Sequence, residues 1–151
     1  MKQLVVPAMF GSLVFLASCS FNDELVFCPP LSAPAEGTRA YVVTDEQKQT
    51  VEVRLNGVRA QCTAEADGRI LMEVKVGLKM TRNLAQDASA DIAIVPMMTA
   101  ILDANDEVLS NEAFGYKTGF NTDLARLLPV VEFELLVPAD GRAVISLTPT
   151  R

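Results

Sequence analysis

The amino-acid sequence predicts an all-β protein, and three observations carry that prediction. Apolar and polar residues alternate with period two along several stretches. Turn-forming residues separate those stretches at hairpin spacing, and only one short segment, Thr122 to Leu128, has a helical signature. Half of the 151 residues are hydrophobic, which suits one domain with a core of its own. Glycine and proline are scattered without a short period, and there is no repeat of the kind that builds solenoids or propellers.

In chain order, the first element is an address. Met1, Lys2 and Gln3 make a short positive start, and Leu4 to Leu16 is apolar apart from Pro7, Gly11 and Ser12. Thirteen residues rise only about 20 Å as a helix, short of the roughly 30 Å hydrocarbon core. A secretory signal over residues 1–18 is therefore expected, rather than a permanent span. Pro7 and Gly11 also disfavour the alternative of a buried core helix.

Leu16, Ala17, Ser18 and Cys19 follow directly. They resemble the lipobox of bacterial lipoproteins, with an aliphatic residue three before the cysteine and small residues between. The resemblance implies that the Cys19 thiol receives diacylglycerol, that the chain is cut before it, and that the new amino group is usually acylated. Two or three acyl chains then anchor the protein to the membrane, at about 0.8 kcal/mol per buried CH₂. Ser20 stands where the sorting rule of enteric-type bacteria reads an aspartate as retention in the inner membrane. By that resemblance the outer membrane is favoured over the inner, with the domain in the periplasm.

Once Cys19 is given to lipid, Cys28 and Cys62 remain as an even pair, and an oxidising compartment favours a disulfide between them. The closed loop of about 33 residues corresponds to roughly 3 to 4 kcal/mol by chain entropy. A redox or metal pair is the alternative, but no CxxC spacing occurs and the chain has no histidine. From Ser20 to Gly37 the sequence is polar or rich in proline, and residues 19–37 read as a lipidated tether interrupted by an anchor at Cys28. The folded domain is expected over 38–151.

Within it, Val51, Val53 and Leu55 alternate with Glu52, Arg54 and Asn56. Val74, Val76, Leu78 and Met80 alternate with Glu73, Lys75, Gly77 and Lys79, and Val131, Phe133, Leu135 and Val137 repeat the pattern against Glu132 and Glu134. Ile92 to Leu102 is apolar on both parities and predicts a central strand, although Pro96 cannot donate to a ladder and predicts a bend. Asn56-Gly57, Asp67-Gly68, Asp103 to Asp106 and Asp140-Gly141 supply turn chemistry. Strands are expected near 39–44, 50–55, 58–65, 70–82, 91–102, 107–119, 130–137 and 142–148. The expected fold is an antiparallel β-sandwich, immunoglobulin-like, with about seven to eight strands. Thr122 could cap a single helical turn before Pro129.

The absence of histidine excludes Ser-His-Asp and Cys-His catalysis and the usual zinc sites, and no serine lies three residues before a lysine. Glu132 and Glu134 share a strand face, which suits either a carboxylate pair or, more simply, a solvated face. Asp103, Asn105 and Glu107 resemble the opening of a calcium loop, but Val108 and Phe114 occupy its glycine and closing glutamate positions. A hairpin turn is the simpler reading. Phe114, Tyr116 and Phe120 share one parity and Gly115, Lys117 and Gly119 the other, which predicts core packing or else an aromatic contact stripe. Met97 and Met98 read as core filler rather than as an adaptable surface.

Net charge is −6, and cleavage before Cys19 removes only the cation Lys2. With basic residues dispersed along an acidic chain, neither nucleic acid nor electrostatic docking on anionic lipid is expected. The lipobox, Cys28-Pro29, and Cys62 followed by alternating strands resemble the small lipoproteins of alphaproteobacteria. Those would carry an Arg-Gly-Pro-Ala-Ala type stretch after the central strands, where this chain has Arg82-Asn83-Leu84-Ala85. The resemblance covers layout more than motif and implies no activity. The expected function is a lipid-anchored interaction or scaffold module of the cell envelope, with an envelope protein as partner and with no catalytic residue, cofactor or metal. The alternatives are a small-ligand or cation-binding lipoprotein and an envelope enzyme using carboxylates alone.

Overall fold

The computed structural model describes residues 25–84 and 88–148, so the expected signal segment and the expected lipidation site Cys19 lie outside the described residues. The chain folds into two β-sheets. Its strands are β1 (Leu31–Ser32), β2 (Arg39–Val43), β3 (Thr50–Ala64), β4 (Arg69–Arg82), β5 (Asp91–Leu102), β6 (Val108–Phe120), β7 (Arg126–Leu127), β8 (Val130–Pro138) and β9 (Arg142–Leu147). One sheet runs β2-β3-β4, with β7 and β8 sharing the far edge of β4; the other runs β1-β9-β5-β6. Every strand pairing is antiparallel except β1 with β9.

The sandwich is interlocked. β4 pairs with β8 in one sheet and β5 with β9 in the other, so the chain crosses between sheets both from β4 to β5 and from β8 to β9. An immunoglobulin sandwich relates its B, E, C and F strands in the same way. At the margin of the second sheet the N-terminal β1 runs parallel beside β9. Nine strands replace the expected seven to eight, because β1 and β7 are two-residue pieces and 50–55 and 58–65 are one strand.

That merger has a local cause. Leu55 pairs with Leu78 and Val58 with Val76, so β3 carries one more residue than β4 between those pairs, a β-bulge at Asn56-Gly57. Gly57 takes φ +100°, where a Cβ would be strained, and a side chain at Gly77 would strike the Asn56 carbonyl. Asn-Gly serves a bulge as readily as a turn, so the expected hairpin is a kink.

Period two sets the core. Val74, Val76, Leu78 and Met80 point inward from β4, Val51 and Val53 from β3, Ala93, Val95 and Met97 from β5, and Ile145 and Leu147 from β9; all are buried. Leu78 is fully buried, so Leu78→Ala is expected to cost about 2–5 kcal/mol. Lys79→Gln, on the opposite face, is expected to change stability by less than about 0.5 kcal/mol. Denaturant melts of the two variants check this, and equal losses would mean that β4 is buried on both faces.

Two expectations are corrected and a third is refined. From Leu25 onward the proposed tether belongs to the sandwich. Leu25 bridges Thr63, the Val26 N–H donates to the Cys62 carbonyl at 3.0 Å, and the Ala143 N–H donates to that of Pro30 at 2.9 Å. A 3-10 turn at Ala35–Thr38 then brings the buried Gly37 against Ser146 of β9. Thr122 to Leu128 is not helical; its Arg126 and Leu127 pair with Thr81 and Met80. Finally, β5 is central in its sheet, as its apolar run implies, but is covered on one face only: Ala93, Val95 and Met97 are buried while Ile94 and Met98 are exposed.

Candidate functional site

The residues singled out by sequence fall into separate places. Cys28 and Cys62 form a disulfide with their Cα atoms 5.3 Å apart. It ties the segment leading into β1, at the margin of one sheet, to β3 of the other. The Asp103 carboxylate closes the β5–β6 hairpin by accepting the N–H groups of Asn105 at 2.8 Å and Glu107 at 2.9 Å. Those bonds, that from Glu107 first, hold its carboxyl below the usual carboxylate range. Its oxygens serve a turn. Glu132 and Glu134 are exposed on β8, opposite Lys75 and Glu73 of β4, and Lys75 bridges Glu132 at 2.9 Å. That is a solvated face, and among the described residues no group of three or more His, Cys, Asp or Glu side chains is placed to hold a metal.

The aromatic stripe is core. Phe120 is buried, and Phe114 meets Phe133 across the sandwich with ring centroids 5.3 Å apart. Met97 is buried core filler, whereas Met98 is 40% exposed on the outer face.

Beside Met98 lies the largest departure from a water-adapted sheet. The outward parity of β5 is Ile92, Ile94, Pro96, Met98 and Ala100, and Ile94 is 53% exposed. Their partners across the ladder on β6 are Gly119, Lys117, Gly115, Ala113 and Asn111. The small residues of β6 therefore leave the apolar side chains of β5 uncovered, and Ile94 lies so close over Gly115 that an added Cβ would meet it at 2.9 Å. β6 pairs only with β5, so its other edge presents free N–H and C=O groups to solvent among the described residues. An apolar sheet face thus adjoins a 13-residue open edge.

One end of the sandwich holds a buried polar cluster that sequence reasoning missed. Arg82 continues the inward parity of β4 and is 2% exposed. Its Nε donates to the Leu124 carbonyl at 2.9 Å, Nη1 to that of Ser89 at 3.1 Å and Nη2 to that of Asn121 at 2.7 Å. Its guanidinium also lies 4.8 Å from the Phe120 ring centroid. Asp91, on the inward parity of β5, accepts the N–H groups of Glu46 at 3.0 Å, Gln47 at 2.8 Å and Ile92 at 2.7 Å. The Ser89 N–H donates to the Gln47 side chain at 3.2 Å, linking the two halves. Among the described residues both charges are satisfied by neutral groups, an arrangement that fixes loops. A charged residue continuing an apolar parity was the available signal, at 82 and again at 91.

Burial alone would raise the Asp91 pKa, but the Thr44 hydroxyl and the N–H groups of Glu46, Gln47 and Ile92 outweigh it and hold the carboxyl far below the usual range. A folded-state pKa below the unfolded value of about 3.9 contributes stability that is present above that value and is lost as pH falls toward the folded one. Asp91→Asn is therefore expected to cost about 1–3 kcal/mol at neutral pH. The gap to the wild type should shrink below about pH 3.9, as read from denaturant melts across pH.

With this geometry in view, comparison with known proteins brings no further constraint: no family model matches the chain, and no curated protein or solved structure is found to be similar to it. Among the described residues no helix is long and apolar enough to cross a membrane.

Proposed function

We propose that the chain is a lipid-anchored interaction module of the bacterial cell envelope. Acyl chains on Cys19 hold it to the membrane, preferably the outer one, and the sandwich faces the periplasm. The supporting observation is the apolar outer face of β5 around Ile94 and Met98 beside the unpaired edge of β6. Soluble sandwiches cover or charge such a face, and an edge of this length is a template for an added strand. An extended segment of an envelope protein fits it: main-chain hydrogen bonds form along β6, and apolar side chains pack over Gly115 and Gly119 against β5. Enzymatic activity is not part of the proposal, since the two buried charged side chains among the described residues, Arg82 and Asp91, are spent on loop carbonyls and amides.

The anchor suits that role. Five residues separate Cys19 from Leu25, so the first described strand pairing lies within about 20 Å of the lipidated residue. A photo-crosslinking amino acid placed at Ile94 in growing cells should give a discrete envelope-protein adduct. The same residue placed at Glu132, on the outer face of the other sheet, should not. Equal labelling at both positions, or none at Ile94, would refute the proposed contact surface.

A further inference from the structure

Strand register gathers basic residues that are far apart in sequence. Arg39 of β2 lies directly opposite Arg54 of β3, which lies opposite Lys79 of β4, so three cations form one row across the outer face of the sheet. In the next row Glu52 is opposite Thr81 and Thr81 opposite Arg126. Four of the chain's thirteen Lys and Arg residues thus surround one carboxylate, in a protein whose net charge is −6. Like charges directly opposite on a sheet are destabilising. Farther along the same face Arg59 is likewise opposite Lys75, but there Glu132 follows on β8 and bridges Lys75 at 2.9 Å. The basic end differs in that Lys79 has no such carboxylate beside it among the described residues.

The single carboxylate is already engaged. Glu52 accepts from Arg54, with Nη2 2.6 Å from its Oε1, and the same oxygen lies 2.6 Å from Nε of Arg39. Lys79 and Arg126 form no ion pair among the described residues. Glu52, Arg54, Lys79, Thr81 and Arg126 line a shallow hollow of about 230 Å³. The Arg126 guanidinium, the Lys79 ammonium and the Thr81 hydroxyl line it beside the Glu52–Arg54 pair, and a planar fork matches the paired oxygens of a phosphate while the ammonium supplies a point charge.

We propose that this hollow binds a phosphate group, carried by a soluble phosphorylated molecule or by a lipid headgroup, with Lys79 and Arg126 as its unspent cations and Glu52 as the one anion that opposes it.

The test uses the full chain and two probes: inorganic pyrophosphate, followed by the backbone amide shifts of Glu52, Lys79, Thr81 and Arg126, and flotation with phosphatidylcholine vesicles with and without phosphatidic acid. The anchor acts equally on both vesicles, so only their difference reports the headgroup. Pyrophosphate binding assigns a soluble ligand, and preference for phosphatidic acid assigns a headgroup. In either case Lys79→Gln with Arg126→Gln should weaken binding about tenfold or more, while Lys117→Gln on the other sheet should not. Glu52→Gln should strengthen binding, a gain that misfolding cannot imitate. Failure of both probes to bind, or undiminished binding by the double variant, would overturn the proposal.

Discussion

Arg82→Ala is expected to destabilise the domain by about 3–5 kcal/mol. The side chain is buried and donates to carbonyls of the 89 and 121–124 loops, which have no ladder of their own. Truncation takes the guanidinium away from the carbonyls of Leu124, Ser89 and Asn121 and leaves those loops without the side chain that fastens them. It also removes the cation from the face of Phe120. Arg82→Met keeps much of the volume but none of the donors, so it should lose nearly as much. Arg82→Lys keeps the charge but not the planar fork, and should recover little. Chemical denaturation measures all three. A loss of less than about 0.5 kcal/mol for Arg82→Ala would show that other groups satisfy the loop carbonyls.

The second large effect belongs to the disulfide. Replacing Cys28 and Cys62 by alanine should cost about 2–5 kcal/mol, through the freed loop of the unfolded chain. The loss has a defined location in the fold. Cys62 sits on β3, and Cys28 precedes β1 in the opposite sheet, so the bridge keeps β1 seated on β9. Hydrogen exchange at the Ala143 amide, which donates to the Pro30 carbonyl, should accelerate in the double variant more than exchange along β4. In the wild type, prepared without reductant, neither Cys28 nor Cys62 should alkylate. Two reactive thiols would contradict the staple.

Most of the sandwich was legible because side chains on a strand alternate between faces. Val74 through Met80 had an obvious inside, and no knowledge of their neighbours was needed to assign it. The cysteine pairing was legible by arithmetic once Cys19 was set apart. What failed depended on partners distant in sequence. Thr122 to Leu128 has a helix-like start, but its carbonyls serve Arg82 and its end pairs with β4. The apolar run of β5 implied a central strand, and periodicity carries no information about whether a second layer covers its outer face. The basic row of Arg39, Arg54 and Lys79 is invisible along the chain, because it exists only through the register of three strands. Arg82 and Asp91 were different: each broke an apolar parity at an inward position, and that conflict between pattern and residue was readable.

The central claim is that this sandwich works from a lipid anchor, and incorporation of a labelled fatty acid in cells tests it most directly. The wild-type chain should take up label and fractionate with membranes. Cys19→Ala should take up none and appear as soluble or uncleaved product, because the thiol of Cys19 is the acceptor the lipobox reading requires. Undiminished incorporation in Cys19→Ala, or a wild-type chain that never labels, would contradict the account.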